Sequence, residues 1–177
     1  MGKTNKTPKP RGFSLIELLI VVAIILIIAA IAIPNLMRAR MAANESSAVS
    51  SLRTINTGEI TYQSTYPTVG YAQALANLGG PSPCVPSPAT ACLIDSVLSA
   101  NGSPANSGKS GYTFATGAGL VGSGVIVGYT VQASPLVANQ SGVRAFCSEQ
   151  DAIVRVDPAG VCSKTEAGIL AFSPLNQ

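Results

Sequence analysis

The chain has 177 residues, of which 47% are hydrophobic and 11% charged, with a formal net charge of +3 and no histidine. Without histidine it lacks the commonest general base and the commonest metal ligand, which argues against an enzyme or a metal centre. Four of its eleven basic residues lie in the first twelve positions, and beyond them seven basic residues face eight acidic ones, so charge gives no argument for nucleic-acid binding.

Residues 1–12 are polar and contain two prolines as well as four positive charges, at Lys3, Lys6, Lys9 and Arg11. Such a segment does not fold alone, and its charges favour the cytoplasmic side of a membrane. We predict that it is a basic leader that is removed.

An apolar stretch of 21 residues follows, from Phe13 to Ile33, with Glu17 as its single charge. At about 1.5 Å per residue it is long enough to cross a bilayer core as a helix. A carboxylate in such a segment is costly without a partner, so Glu17 is a candidate functional residue. Pro34, next in the chain, either kinks a continuing helix or marks a helix end.

Two plainer interpretations of this stretch are an ordinary secretory signal and a simple N-terminal anchor. Ala30-Ile31-Ala32 offers the small-x-small site that a signal peptidase needs. The apolar run is long for a signal, however, and neither interpretation explains Glu17.

The segment Arg11-Gly12-Phe13-Ser14-Leu15-Ile16-Glu17, with the apolar run and Pro34 behind it, resembles the class III signal of type IV pilins and pseudopilins. The resemblance is strongest from Lys9 to about Ala43. It implies that a prepilin peptidase cuts between Gly12 and Phe13 and methylates the new N-terminus at Phe13.

The chemistry of the segment supports an assembly role for Glu17. Cleavage before Phe13 would create an α-amino group that is mostly cationic at neutral pH, one helical turn from Glu17. The amine of a neighbouring, axially staggered helix would then neutralise the carboxylate in a water-poor bundle. We therefore predict that Glu17 sets the register between helices and that Pro34 also serves assembly.

Residues 35–66 are predicted to form an amphipathic helix that ends at Tyr66-Pro67. One stripe at helical spacing is predicted to pack on a head domain, and it comprises Ala48, Leu52, Ile55, Glu59 and Tyr62. The charged residues Arg38, Arg40, Glu45 and Arg53 are interpreted as the solvated or subunit-facing side.

Residues 67–110 are predicted to be a connecting loop region, with short helices at Tyr71–Leu78 and Cys92–Leu98. From residue 111 the hydrophobic period changes to two, which indicates an antiparallel sheet over 111–177. Its four predicted strands are Tyr112–Thr116, Val125–Ala133, Val143–Cys147 and Ala152–Asp157. The predicted fold class is α+β, in which a long helix, its apolar half (13–34) protruding, packs on a small sheet.

All four cysteines lie beyond the apolar stretch, which suggests two disulfides formed in an oxidising compartment. Three pairings are possible, and we favour the neighbours, Cys84–Cys92 and Cys147–Cys162. The second would resemble the C-terminal disulfide-bounded loop of many pilins. No pair has the CxxC spacing of a zinc or redox site.

Two further motifs carry little weight. Gly117–Gly122 matches GxGxxG but precedes a strand, so a hairpin turn is the better interpretation. Glu149, Asp151 and Asp157 lack the alternation of a calcium loop. We predict no catalytic residue, metal or cofactor.

The sequence thus predicts a structural subunit of a type IV pilus, with a type II secretion pseudopilin as the alternative and a secreted or anchored periplasmic binding domain as a third possibility. The expected partners are further copies of the chain in a helical homopolymer, a prepilin peptidase, an inner-membrane assembly platform and membrane lipid, but no nucleic acid. The expected location is the inner membrane, with the N-terminus cytoplasmic, and afterwards an extracellular pilus or a periplasmic pseudopilus.

Overall fold

The computed structural model describes residues 12–100, 108–118, 121–122, 124–157 and 173–175. The chain divides into two compact units, Met1–Arg38 and Ala39–Gln177. The first contains the apolar part of a long helix, and the second contains the rest of that helix and a β-sheet.

Helix α1 spans Leu15–Thr65, and Pro34 lies inside it. Pro34 therefore lies within a continuing helix and does not mark a helix end. The N–H of Tyr66 donates the closing hydrogen bond to the carbonyl of Tyr62 at 2.8 Å. The helix therefore ends where Tyr66-Pro67 predicts, because the residue before a proline disfavours the helical conformation.

Two single-turn helices follow, α2 at Leu75–Leu78 and α3 at Ser96–Ser99. Both are shorter than predicted, because one residue of each expected helix has a non-helical backbone. Ala74 is extended, with a φ of −148° and a ψ of 154°, and Cys92 has a positive φ of 60°. Asp95 caps α3 by accepting a hydrogen bond from the N–H of Leu98 at 3.0 Å.

The described strands form a five-stranded antiparallel sheet in the order β1-β4-β5-β6-β7, together with a separate two-stranded hairpin, β2–β3. The bounds are β1 Tyr112–Ala118, β2 Val121–Gly122, β3 Val125–Ile126, β4 Tyr129–Pro135, β5 Ala145–Glu149, β6 Arg155–Asp157 and β7 Ser173–Pro174. The prediction of a long helix on a small antiparallel sheet is confirmed.

The predicted single strand Val125–Ala133 was wrong. Its first part, β3, pairs with β2 through a turn at Gly124, whose φ of +84° favours glycine. Ile126 also exchanges backbone hydrogen bonds with Val69 and Tyr71, each 3.0 Å long. Only the part from Tyr129 joins the main sheet, as β4.

The last two predicted strands begin later than the sequence pattern indicates. The N–H groups of Val143 and Arg144 donate to the side chain of Glu45 at 3.0 and 3.2 Å, so β5 begins at Ala145. Ala152 has a positive φ of 57° in a turn, which delays β6 to Arg155. In both places a tertiary contact or turn overrides the alternation of side chains.

The core lies between α1 and the sheet. The predicted stripe is buried along its whole length, with Ala48, Leu52, Ile55 and Glu59 at 0% exposure and Tyr62 at 2%. It meets aromatic and branched side chains of the sheet, namely Tyr112, Phe114, Tyr129, Val131 and Phe146. Gly58 weakens the helix but allows the loop to pack closely, because a Cβ there would lie 3.3 Å from Ile94.

Candidate functional site

The candidate processing site lies just before α1. Gly12, Phe13 and Ser14 have no regular secondary structure, and Phe13 is 84% exposed. Apart from its neighbours in the chain, no described heavy atom comes within 4 Å of a Cβ built on Gly12. A peptidase would therefore meet this peptide bond without unwinding a helix.

Glu17 lies in the first turn of α1 and reaches back to the helix start. Its Oε2 accepts a hydrogen bond from the backbone N–H of Ser14 at 2.9 Å. Ser14-Leu15-Ile16-Glu17 has the spacing of a capping box, in which a glutamate closes the N-terminus of its own helix. This contact was not among the predictions, although the Ser-x-x-Glu spacing indicates it. The helix dipole also favours a carboxylate at this end.

Between Glu17 and Ile33 the surface of α1 is apolar and uncovered. Every large hydrophobic side chain from Phe13 to Ile33 is between 47% and 84% exposed. Within the described residues, α1 is the one helix long and apolar enough to cross a membrane. Such a surface is stable in lipid or against other helices, since exposing it to water is unfavourable.

Glu45 fixes α1 to the sheet within the head, the compact unit Ala39–Gln177. Its carboxylate accepts the backbone N–H groups of Val143 and Arg144 and two guanidinium bonds from Arg144, at 2.9 and 2.6 Å. Burial raises the pKa of Glu45, but these hydrogen bonds and the Arg144 charge outweigh it and hold the pKa below its usual value. The interpretation of Glu45 as a solvated residue was wrong, because it is 8% exposed and paired.

The same helix carries a second buried carboxylate, at Glu59. Its Oε2 accepts the backbone N–H of Ala72 at 2.8 Å. Burial raises the pKa of Glu59 to about 7, and the Ala72 hydrogen bond opposes this rise only in part. Glu59 was predicted as part of the packing stripe, but its helical spacing does not reveal the raised pKa.

The disulfide between Cys84 and Cys92 is present, with a Cα–Cα distance of 6.0 Å. It closes the loop Cys84–Cys92, in which the carbonyl of Pro88 accepts a hydrogen bond from the hydroxyl of Tyr62 on α1 at 2.6 Å. Cys147 is also disulfide-bonded. Its predicted partner, Cys162, lies outside the described residues.

The acidic residues considered for calcium binding have other partners. Arg155 forms ion pairs with Glu149, at 3.4 Å, and with Asp151. The part of the chain that the structure describes contains no group of three residues suited to hold a metal ion. In the GxGxxG segment, Gly117 lies in β1 and Gly122 in β2, so both belong to strands.

Parts of the chain are similar to known proteins. Residues 8–33 match the family model of the prokaryotic N-terminal methylation motif. The chain is 47% identical over 59 residues to the type IV major pilin protein PilA of Myxococcus xanthus, and 64% identical over 36 residues to the type IV wide pilus major component PilA4 of Thermus thermophilus. These alignments cover 33% and 20% of the chain.

The similarity is confined to one part of each relative, since the matches span 27% of the Myxococcus protein and 28% of the Thermus protein. No solved structure matches the chain. Type IV pilins are structural proteins and not enzymes, which agrees with the sequence prediction. The methylation motif over residues 8–33 and the two pilin relatives show that parts of this chain are similar to type IV pilins, and the long helix on an antiparallel sheet agrees with this likeness.

Proposed function

We propose that the chain is a structural subunit of a type IV pilus, which polymerises through Phe13–Ile33 after cleavage between Gly12 and Phe13 and methylation of Phe13. The observation that carries this proposal is the continuous exposure of apolar side chains along this stretch, beside a single carboxylate at Glu17. The match of residues 8–33 to the methylation motif supports the processing step.

Before assembly, the precursor is anchored in the inner membrane by α1, with its N-terminus in the cytoplasm. Lipid covers the apolar surface at this stage, and the four basic residues before Gly12 retain the leader on the cytoplasmic side. A prepilin peptidase then removes the leader at the exposed bond that precedes Phe13.

In the filament, copies of the chain replace lipid around the apolar surface. The new amine at Phe13 of one copy pairs with Glu17 of a staggered neighbour, because each charge is otherwise costly in a water-poor bundle. Glu17 thereby fixes the axial register of a helical homopolymer. Pro34 lies at the end of the apolar run, where a missing N–H allows the helix to adjust locally.

An inner-membrane assembly platform extracts the processed subunits, and the filament extends outside the cell. The main alternative is a pseudopilin of a type II secretion system, whose filament stays in the periplasm. The names of both relatives, a major pilin and a major component of a wide pilus, favour the pilus.

The first test is the intact mass of the mature protein with sequencing of its N-terminus. We expect a chain that starts at Phe13 and is heavier by one methyl group. A start near Ile33 would instead indicate a conventional signal peptidase and a released periplasmic domain, and would overturn the proposal. To separate pilus from pseudopilus, we would image intact cells labelled with an antibody to the sheet domain, and surface filaments are expected.

A further inference from the structure

Glu59 is a fully buried carboxylate on the packing face of α1. Its Oε2 holds the backbone N–H of Ala72 at 2.8 Å. Its Oε1 is buried as well and has no hydrogen-bond partner among the described residues. An ionised carboxylate with an unsatisfied buried oxygen is costly, whereas a protonated one is much less so.

The groups that face Glu59 do not offset a negative charge. Two phenols interact with it, Tyr62 from the same helix and Tyr129 from β4, and the Glu59 charge raises the pKa of both beyond the effect of burial. Tyr71 lies in the segment that Glu59 binds, and its ring centre is 4.9 Å from that of Tyr129. No lysine or arginine in the described ranges forms an ion pair with Glu59.

The segment 69–72 connects Glu59 to the β2–β3 hairpin. The N–H of Ile126 donates to Val69 and the N–H of Tyr71 donates to Ile126, each at 3.0 Å. Between them, Gly70 has a φ of +87°, and a Cβ there would collide with the backbone of Ile126. The segment is thus bonded to β3 on one side and to the Glu59 carboxylate on the other.

From this arrangement we propose that Glu59 is a pH-sensitive latch between α1 and the segment 69–72. In mildly acidic conditions the protonated side chain stays buried, and the segment with its attached hairpin is closed on the helix. When the side chain ionises, the charge has no counter-charge in the core and reaches water by local opening of the segment. Glu59 and the segment 69–72 both lie in the head, so the latch does not depend on the proposed assembly into a filament.

The pKa of Glu59, raised by burial to about 7, places the transition near neutrality. Glu45 on the same helix provides the contrast, because its hydrogen bonds and Arg144 hold its pKa below the usual value. The two glutamates therefore ionise in different pH ranges, and only Glu59 changes charge between pH 6 and 8.

The test is hydrogen exchange of the full-length chain in detergent micelles from pH 5.5 to 8.5, corrected for the intrinsic pH dependence of exchange and followed by mass spectrometry. If the open form titrates at 4.5 and the closed form at about 7, opening of the peptide that contains residues 69–72 increases roughly thirty-fold over this range. Glu59→Gln should abolish this increase. Glu45→Gln, the matched control, should leave it intact, because Glu45 does not titrate there.

If Glu59→Gln folds poorly, the wild-type chain provides a second test. The carboxyl carbon-13 resonance of Glu59 in the glutamate-labelled wild-type chain should titrate near pH 7. A midpoint near 4.5 would overturn the latch. So would exchange that does not depend on pH in the wild type, or the same increase in Glu59→Gln.

Discussion

The carboxylate of Glu45 on α1 binds Arg144, which is 99 residues further along the chain, through both its guanidinium and its backbone N–H. The guanidinium carbon also lies 5.6 Å from the ring centre of Phe146 in β5. One side chain of the helix therefore determines where β5 begins and holds the arginine over the sheet. This contact joins the two elements of the fold at high sequence separation.

Arg144→Met should lower the free energy of unfolding by about 1–2 kcal/mol, because it removes two charge-assisted hydrogen bonds from a largely buried carboxylate. The effect is limited because the arginine side chain is itself 46% exposed, so water screens the pair. Denaturant unfolding of the full chain in detergent, followed by circular dichroism, measures it. The control is Arg53→Met, at an exposed arginine of the same helix, which should change stability by less than about 0.5 kcal/mol.

Glu45 should make the head less stable in acid. A group whose folded pKa lies below its unfolded value of 4.5 contributes stability above that value and loses it as the pH falls through the folded pKa. The wild type should thus lose stability below about pH 4.5 relative to Glu45→Gln, which lacks the titrating group. Equal acid sensitivity of the two chains in thermal unfolding scans would contradict this expectation.

The disulfide between Cys84 and Cys92 should stabilise the loop against α1. It closes a short loop, with a sequence separation of 8, for which the chain-entropy model gives about 2–3 kcal/mol. We expect the double variant Cys84→Ser/Cys92→Ser to lose up to this amount in denaturant unfolding. The carbonyl of Pro88, which accepts the Tyr62 hydrogen bond, lies in the same loop. Tyr62→Phe should therefore lower the free energy of unfolding less in the Cys84→Ser/Cys92→Ser variant than in the wild type.

The sequence predicted those features whose cause is local. The apolar run, the buried stripe from Ala48 to Tyr62 and the helix end before Pro67 all follow from spacing and from the conformational limits of proline. The change to a period of two revealed the sheet. These features depend on neighbours a few residues away, so one sequence is enough to find them.

The errors arose where distant parts of the chain meet. Alternation around Val125 predicted one strand, but Val69 and Tyr71 draw Ile126 into a separate pairing. The charge of Glu45 suggested a solvated position, because Arg144 is too far away in sequence to be recognised as its partner. Glu59 fits the helical stripe, and only the structure reveals that its partner is a backbone N–H.

Glu17→Gln separates two roles of this residue. A glutamine still accepts the N–H of Ser14, so the start of α1 is preserved, but the negative charge that we propose to pair with the Phe13 amine is lost. We expect normal membrane insertion and normal cleavage with strongly reduced filament yield, measured by shearing filaments from cells. Glu17→Val should insert at least as well and also fail to assemble. If Glu17→Gln forms filaments as well as the wild type, the charge does not set the register.

Glu59 should give the head a pH dependence opposite to that of Glu45. Its folded pKa, about 7, lies above the unfolded value of 4.5, so its contribution to stability is complete below pH 4.5 and is lost as the pH rises through 7. The difference between these pKa values corresponds to at most about 3 kcal/mol. Glu59→Gln should match the wild type near pH 5 and be more stable above pH 8, since glutamine keeps a neutral side chain in the core at every pH. Thermal unfolding of both chains in detergent at these two pH values is the measurement. If the variant is destabilised equally at both pH values, Glu59 contributes only its hydrogen bond to Ala72. If the two chains are equally stable in acid and differ in stability in base, the buried carboxyl group changes its charge.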